Sequence, residues 1–236
     1  MDNTAIIQQI RERFERRESS DTYLKSFLQK VQDGKALLAD MDNYACRIAE
    51  YYNMALHEVI GKASIEEYLL AVDAVIPKGL HQITDRVNDC TKKIIDKQLG
   101  EIGVGLKAVS ADYDIKKERD VIEKIRRTAE NAEEVSQVEP EASRQIESFS
   151  QKAVTNTMQE NAKAQSEAGL EVRVTRIYDG IGVHRRKDDC TWCKERCGEN
   201  MTYSEAMHKG SFQRHPGCHC EIFYKPKRGG WQRQSN

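Results

Sequence analysis

The chain has 236 residues, which is long enough to bury a core. Apolar residues make up 39% of it and aromatic residues 7%, whereas 32% are charged. This apolar content is low for a single compact globule. The formal net charge of -1 is distributed unevenly along the chain. Residues 1–170 hold 24 Lys/Arg and 30 Asp/Glu, a net charge of about -6. Residues 171–236 hold 13 Lys/Arg and 8 Asp/Glu, a net charge of about +5. No run approaches the ~20 apolar residues of a membrane span, and no signal peptide is evident. We therefore expect a soluble, elongated, mainly α protein made in a reducing cytoplasm, whose C-terminal part would meet any polyanion.

Apolar residues up to about position 170 recur at intervals of three and four, which predicts helices. The segment 35–61 carries a broad apolar stripe and ends at Gly61. A capping box of Ser64 and Glu67 then starts a helix that Pro77 is expected to interrupt. A further amphipathic run follows, and the glycines of 100–105 should break or bend it.

Residues 114–135 are mostly charged and predict a solvent-exposed helix. Pro140 marks the start of a long helix, since its missing N–H costs nothing there, and Gly169 marks its end. We interpret 1–138 as a charged helical region that binds an assembly partner, and 139–170 as a long connecting helix.

The apolar period changes to two after Leu170, which predicts a strand containing Val172, Val174 and Arg176. Residues 221–224 predict a second strand, and 202–208 a capped helical turn. Two strands alone are marginally stable in water. The α+β module of residues 171–224 therefore needs a stabilising cross-link, such as a bound metal ion. Residues 225–236 are interpreted as a basic, flexible tail.

Five of the seven cysteines fall between positions 190 and 220. Cys190-Thr-Trp-Cys193 is followed, 21 residues later, by His215-Pro-Gly-Cys218-His-Cys220. Two donors separated by two residues can point at one ion from a tight turn, which is the spacing of a zinc site. The preferred ligands are Cys190, Cys193, His215 and Cys218, and Cys220 is the alternative that would displace His215. Cys197 and His219 are weaker candidates.

Three other interpretations of the cysteines remain open: a thiol–disulfide redox pair, disulfides formed after release into an oxidising medium, and a nucleophilic Cys with a His base. Structural zinc is favoured because no βαβ pattern or oxyanion site accompanies the pair. A zinc ion held by four protein ligands would be closed to water and could not act as a Lewis acid, so we expect it to contribute folding free energy instead. Cys46 and Cys90 lie in helical patterns and are interpreted as small core or boundary residues.

The stretch 146–224 resembles the C-terminal part of the minor head proteins of tailed bacteriophages, the Mu F-like head-morphogenesis family. The resemblance lies in the segment from Phe149 to Leu170 with its Ala-Gly-Leu ending, in Val174-Thr-Arg-Ile, in the Cys-x-x-Cys pair and in the closing His-Pro-Gly-Cys-His-Cys. His219 stands where the family has arginine, and residues 180–189 are an insertion. Neither difference removes a proposed ligand.

The resemblance implies a low-copy minor capsid protein of the virion, located inside the head near the portal and made in the cytoplasm of the host bacterium. It also implies portal, capsid or scaffold proteins as partners in head morphogenesis, DNA packaging or ejection, without enzymatic activity. The basic C-terminal part is a candidate surface for phage DNA. The candidate nucleic-acid-binding residues are Lys225, Lys227, Arg228, Trp231 and Arg233. Alternative functions are a zinc-supported DNA-binding protein and a treble-clef-type nuclease with His184 or His219 as base.

Overall fold

The structure, a computed structural model, describes residues 3–178, 190–218 and 220–227. Within these ranges the chain is mainly helical, with a small antiparallel sheet near its C-terminus. The helices are α1 (Asn3–Ser20), α2 (Thr22–Gln32), α3 (Met41–Ile60), α4 (Ile65–Glu101), α5 (Ile115–Glu130), α6 (Glu139–Glu167), α7 (Thr191–Arg196) and α8 (Tyr203–Lys209). The strands are β1 (Glu171–Ile177), β2 (Gly198–Thr202) and β3 (Glu221–Lys227). The predicted fold class, a helical N-terminal part with a small α+β module, is confirmed.

Helices α1 to α6 form one packed unit, which we call the helical body. Helix α6 lies at its centre, because it packs against α3, α4 and α5 and also against β1 and β3. Ile48 of α3, Leu80 of α4 and Ile146 of α6 have no exposed surface. The long helix predicted at 139–170 is thus part of the core as well as the connection to the sheet.

Local signals set several helix ends where the sequence predicts them. Ser64 and Glu67 form the predicted capping box at the start of α4, and α3 ends at Ile60, immediately before Gly61. Gly169, with φ +83°, closes α6 in a Schellman motif, in which the N–H of Leu170 donates to the carbonyl of Gln165 at 3.0 Å. Helix α4 ends at Glu101, within the predicted break.

The predicted interruption at Pro77 is wrong, because α4 runs through it from Ile65 to Glu101. Proline removes one backbone donor, but packing on both sides of it holds the helix together. Ile76 is fully buried, and the Tyr52 hydroxyl donates to the Val75 carbonyl at 3.1 Å. Tyr52 can lie this close because the neighbouring position is Gly79, where a Cβ would meet the tyrosine ring at 1.9 Å.

The segment between α4 and α5 is fixed to α6 by polar side chains. The Asn161 side chain accepts from the N–H of Val109 at 2.9 Å and donates to its carbonyl at 2.7 Å. Thr157 accepts from the N–H of Ala111 at 3.2 Å. These bonds satisfy an extended backbone that has no strand partner, which accounts for polar residues on the buried side of α6.

The sheet contains three strands in the order β2-β1-β3, with both pairs antiparallel. The sequence analysis predicts β1 and β3 but not β2, since Gly198–Thr202 lacks an apolar alternation. Strand β3 extends to Lys227, three residues beyond the predicted strand. Helix α8 is the predicted capped turn: Thr202 and Glu205 form a capping box at its start.

The sheet, α7, α8 and the turn at 215–218 make up the C-terminal module, which is tied directly to the helical body. Gln165 of α6 donates to the Tyr224 hydroxyl of β3 at 2.9 Å in a buried position. Arg214 forms a buried ion pair with Asp42 at the start of α3. In the part of the chain that the structure describes, none of the helices is long and apolar enough to cross a membrane.

Candidate metal centre

Cys190 and Cys193 are held by the start of α7. Cys190 precedes the first helical residue, and its backbone N–H donates to the Tyr178 hydroxyl at 2.7 Å. Cys193 lies one turn into the helix and is 2% exposed. The short helix therefore turns both sulfurs of the predicted Cys-x-x-Cys pair toward the same side.

His215 and Cys218 are held by a four-residue turn. The N–H of Cys218 donates to the His215 carbonyl at 3.0 Å, and Gly217 has φ +75°, which a residue with a side chain rarely adopts. Pro216 is suited to the preceding position because its ring fixes φ near -65°. The sequence predicts this turn from Pro216 and Gly217, and the turn brings both donors toward α7.

The five predicted ligands form what we call the Cys/His cluster: Cys190, Cys193, His215, Cys218 and Cys220. Their donor atoms make two groups, each with all members within 4.8 Å of one another, and both groups contain Cys193. One group is Cys190, Cys193 and His215, and the other is Cys193, Cys218 and Cys220. Each group can hold a metal ion, so the side chains predicted from spacing do converge in space.

One sulfur–sulfur distance in the cluster matches an edge of a tetrahedral zinc site, and two nitrogen–sulfur distances are somewhat shorter than such an edge. Bond lengths of about 2.3 Å to sulfur and about 2.0 Å to nitrogen imply edges of roughly 3.8 Å between two sulfurs and roughly 3.5 Å between sulfur and nitrogen. The Cys193 and Cys218 sulfurs are 3.8 Å apart. The Nε2 atom of His215 lies 3.3 Å from the Cys190 sulfur and 3.0 Å from that of Cys193.

The His215 ring is oriented with Nε2 toward the sulfurs. Its Nδ1 atom lies 2.9 Å from the Pro216 carbonyl, which can only accept a hydrogen bond. A proton on Nδ1 leaves the Nε2 lone pair free to bind a metal, the arrangement usual for ligating histidines. Trp192 packs edge-on to the ring with centroids 5.0 Å apart and limits its rotation.

The charges near the cluster make its thiols unequal. The pKa of Cys218 is lowered to about 4 by a hydrogen bond from Cys220 and by the nearby charges of Arg214 and Arg176. Burial and the Cys218 charge raise the pKa of Cys193 to about 12, and Cys220, which donates to Cys218, has its pKa raised as well. Without a metal, Cys218 therefore carries the negative charge of the cluster.

Arg176 is the residue of this site that the sequence analysis does not identify. It is 1% exposed, and its Nη2 atom lies 3.6 Å from the Cys193 sulfur and 3.5 Å from the Cys218 sulfur. Burial opposes the charge of Arg176, but the Cys220 and Cys218 sulfurs outweigh that effect and raise its pKa. The strand alternation could have identified it, because Arg176 falls on the same face of β1 as the apolar Val172 and Val174.

The remaining candidates lie apart from the cluster or beyond the described residues. The sulfur of Cys197 donates to the Cys193 carbonyl at 3.2 Å and belongs to neither group of donors. Lys225 and Lys227 are exposed on β3. Four other predicted positions lie outside the described residues: His219, Arg228, Trp231 and Arg233. So does the insertion at 180–189, with His184.

No protein-family model matches the chain, and neither a curated protein nor a solved structure is similar to it. The indications of function are therefore the residues of the cluster and their surroundings.

Proposed function

We propose that the Cys/His cluster binds one structural zinc ion through Cys190, Cys193, His215 and Cys218. The observation that carries this proposal is that Cys193 belongs to both groups of donors: the His215 Nε2 atom lies 3.3 Å and 3.0 Å from the Cys190 and Cys193 sulfurs, and the Cys218 sulfur lies 3.8 Å from that of Cys193. When bound, zinc would supply folding free energy by joining α7 to the turn before β3. Cys220 would remain a thiol that donates to the Cys218 ligand.

A structural role is favoured over a catalytic one because protein groups surround the sulfurs. Cys193 and Cys218 are 2% and 1% exposed, and Arg176 lies against both. Four protein ligands leave no position for a substrate or an activated water molecule. After Cys220 the described chain continues as β3 to Lys227, whereas a treble-clef nuclease would need a helix with further ligands there.

We infer that the whole chain is a minor head protein of a tailed bacteriophage that acts at the portal vertex in head morphogenesis or in packaging and ejection of DNA. The resemblance over 146–224 supports this inference, and so does the architecture. A helical body with a charged surface is suited to binding portal, capsid or scaffold subunits. The module attached to it carries the excess of positive charge toward the interior of the head, where the DNA lies.

A DNA-binding role for the module has support of its own. Lys225 lies directly opposite Arg173 in the β1–β3 register, and Lys227 lies opposite Glu171, which forms an ion pair with Arg173. This face of the two strands therefore carries three cations and one carboxylate. Its excess of positive charge favours a polyanion partner such as the phosphates of DNA.

The test of the proposed function is the composition of phage particles from the strain that encodes the chain. Mass spectrometry of gradient-purified particles should find the protein at low copy relative to the major capsid protein. A nonsense mutation in its gene should give heads that are fewer or not filled with DNA. A protein found only in the cytoplasm, with normal particles from the mutant, would contradict the proposal.

A further inference from the structure

Arg176 contacts carbonyl and sulfur groups in the interior of the module, the Cys220 sulfur among them. Its Nη1 atom donates to the backbone carbonyls of Ser211 at 3.1 Å and Gln213 at 2.6 Å. Its Nη2 atom lies 3.6 Å from the Cys193 sulfur and 3.5 Å from the Cys218 sulfur. One guanidinium group therefore connects α7, the end of the α8 segment and the turn that carries the second pair of ligands.

Among the described residues, sulfurs and not carboxylates lie next to the charge of Arg176. None of the Asp and Glu side chains in the described ranges is within ion-pair distance of it, whereas Arg214, the other buried arginine of the module, is paired with Asp42. An unbalanced buried charge is very unfavourable. The Cys218 thiolate is an anion in contact with Arg176, and the Cys193 sulfur would become a second one when a metal displaces its proton, so arginine and cluster stabilise each other.

We propose that Arg176 is a positioning residue of the metal centre, which holds the Cys193 and Cys218 thiolates at metal-binding separation and offsets part of their negative charge. This inference rests on the proposed zinc site. A zinc ion with three thiolates and one neutral imidazole has a net charge of about -1. A single guanidinium would neutralise that charge, and its N–H groups would hold the sulfur lone pairs that face away from the ion.

The strand and its neighbours direct Arg176 at the sulfurs. The register of β1 with β2 shifts between Val174 and Arg176, an irregularity of the kind that re-aims a side chain. The centroid of the Trp192 ring lies 5.5 Å from the Arg176 guanidinium and 3.8 Å from that of Arg196. Stacking on an aromatic ring stabilises a guanidinium that has left water.

The test compares three variants of the full chain: Arg176→Met, Arg176→Lys and the control Arg173→Met. Arg173 lies three residues away on the same strand, faces the other side of the sheet and is only half-buried, so its loss removes the same charge outside the cluster. The zinc dissociation constant is measured by competition with a chromophoric chelator. We expect it to rise about 10–100-fold for Arg176→Met and to change less than about threefold for Arg173→Met.

The Arg176→Lys variant separates the effect of the positive charge from that of the planar guanidinium group. Lysine keeps the positive charge but cannot reach two sulfurs and two carbonyls with one planar group, so the dissociation constant should rise about 3–10-fold. Cobalt(II) substitution gives a second measurement on the same protein. The thiolate-to-cobalt charge-transfer bands should shift to lower energy in Arg176→Lys, because a thiolate that accepts fewer hydrogen bonds is a stronger electron donor.

The outcomes distinguish this inference from the zinc site itself. Wild-type protein without zinc affinity overturns both. Wild-type affinity in Arg176→Met overturns the role of Arg176 and leaves the zinc site intact. Should the Met variant lose the fold of the module, Arg176→Lys decides: an unchanged dissociation constant with unchanged cobalt bands shows that the guanidinium does not position the sulfurs and overturns the inference.

Discussion

Ile48 in the helical body and Arg176 in the C-terminal module are both almost fully buried, but different chemistry surrounds them. Ile48 belongs to the cluster of buried apolar side chains. Arg176 lies among sulfurs, backbone carbonyls and an indole ring. Burial of an aliphatic side chain stabilises a fold by about 1.5–3 kcal/mol on its own, whereas burial of a guanidinium is favourable only when specific partners are in place.

This difference indicates that the two regions depend on different conditions. The six helices of the body supply most of the buried apolar cluster, which continues into β1 and β3 of the module. The module itself has three short strands and two short helices, and under the proposed function its interior would be completed by the four zinc ligands. Removal of the metal should therefore affect the module selectively.

The largest effect should follow from Cys193→Ser, because Cys193 belongs to both groups of the cluster. We expect zinc affinity to fall more than about 100-fold, beyond the 10–100-fold typical of losing a partner of a ligand. The module should lose its fixed structure, but most of the far-UV circular dichroism should remain, since the long helices lie in the body. Addition of a chelator to the wild-type protein should reproduce both results.

The matched control is Cys197→Ser, a change of the same atoms in the same module but outside both donor groups. It should keep about one zinc per chain. Loss of the body's helical signal together with the zinc in Cys193→Ser would show that the two regions fold as one unit, contrary to the comparison.

The next effect concerns the contact between the regions. Asp42→Asn leaves Arg214 buried without an ion-pair partner, and we expect a loss of about 3–5 kcal/mol of unfolding free energy. Urea denaturation measures it. Asp73→Asn is the control, because it breaks an exposed pair with Arg126 (2.6 Å) and should cost less than about 1 kcal/mol.

A second variant tests whether Arg214 is the cause of that loss. Asp42→Leu combined with Arg214→Met removes both charges, and its stability should exceed that of Asp42→Asn. Equal stabilities of Asp42→Asn and Asp73→Asn would mean that this buried pair does not hold the module to the body.

The third effect concerns the body alone. Ile48→Ala leaves a cavity among α3, α4 and α6, with an expected cost of about 2–5 kcal/mol. Zinc content should stay at one ion per chain under conditions in which the variant is folded. Leu70→Ala, at a position 75% exposed on α4, should change stability by less than about 0.5 kcal/mol. A drop in zinc affinity in folded Ile48→Ala would show that the centre depends on the body.

Features that depend on neighbouring residues were predictable from the sequence. The capping box of Ser64, the Schellman ending at Gly169 and the convergence of the predicted ligands all follow from short-range patterns. Such patterns act through hydrogen bonds or donor spacing within a few residues, so the residue types alone specify them.

Features that depend on packing between residues far apart in the chain were not predictable from the sequence. Arg214 and Asp42 are 172 residues apart in sequence, and nothing near either residue indicates the other. Pro77 was predicted to break α4 from a local rule that buried neighbours and Tyr52 override. Arg176 was read as an ordinary strand position, although a charged residue in phase with buried valines is a signal of a specific interior partner.

The smallest expected effect is pH-dependent and lies far from the metal centre. Asp21 caps α2: its carboxylate accepts from the N–H of Leu24 at 2.8 Å, from Arg47 at 2.9 Å and from the Tyr51 hydroxyl. Burial raises the pKa of this carboxyl, but the three donors outweigh burial and lower it to about 2. An aspartate in the unfolded chain has a pKa of about 3.9.

Because the folded-state pKa is the lower one, the carboxylate stabilises the fold fully above about pH 4 and loses this contribution as pH falls toward about 2. Asp21→Asn keeps a good capping residue but removes the charge, so it should lower the unfolding free energy by about 1–2 kcal/mol at pH 7 and by almost nothing near pH 2. Urea denaturation followed by circular dichroism, with chelator present at every pH, confines the measurement to metal-free protein. Asp89→Asn, which breaks an exposed pair with Lys93, should cost less than about 0.5 kcal/mol at either pH. A deficit of Asp21→Asn that stays constant between pH 7 and pH 2 would mean that the charge of Asp21 does not stabilise the body, which would then rest on apolar packing alone.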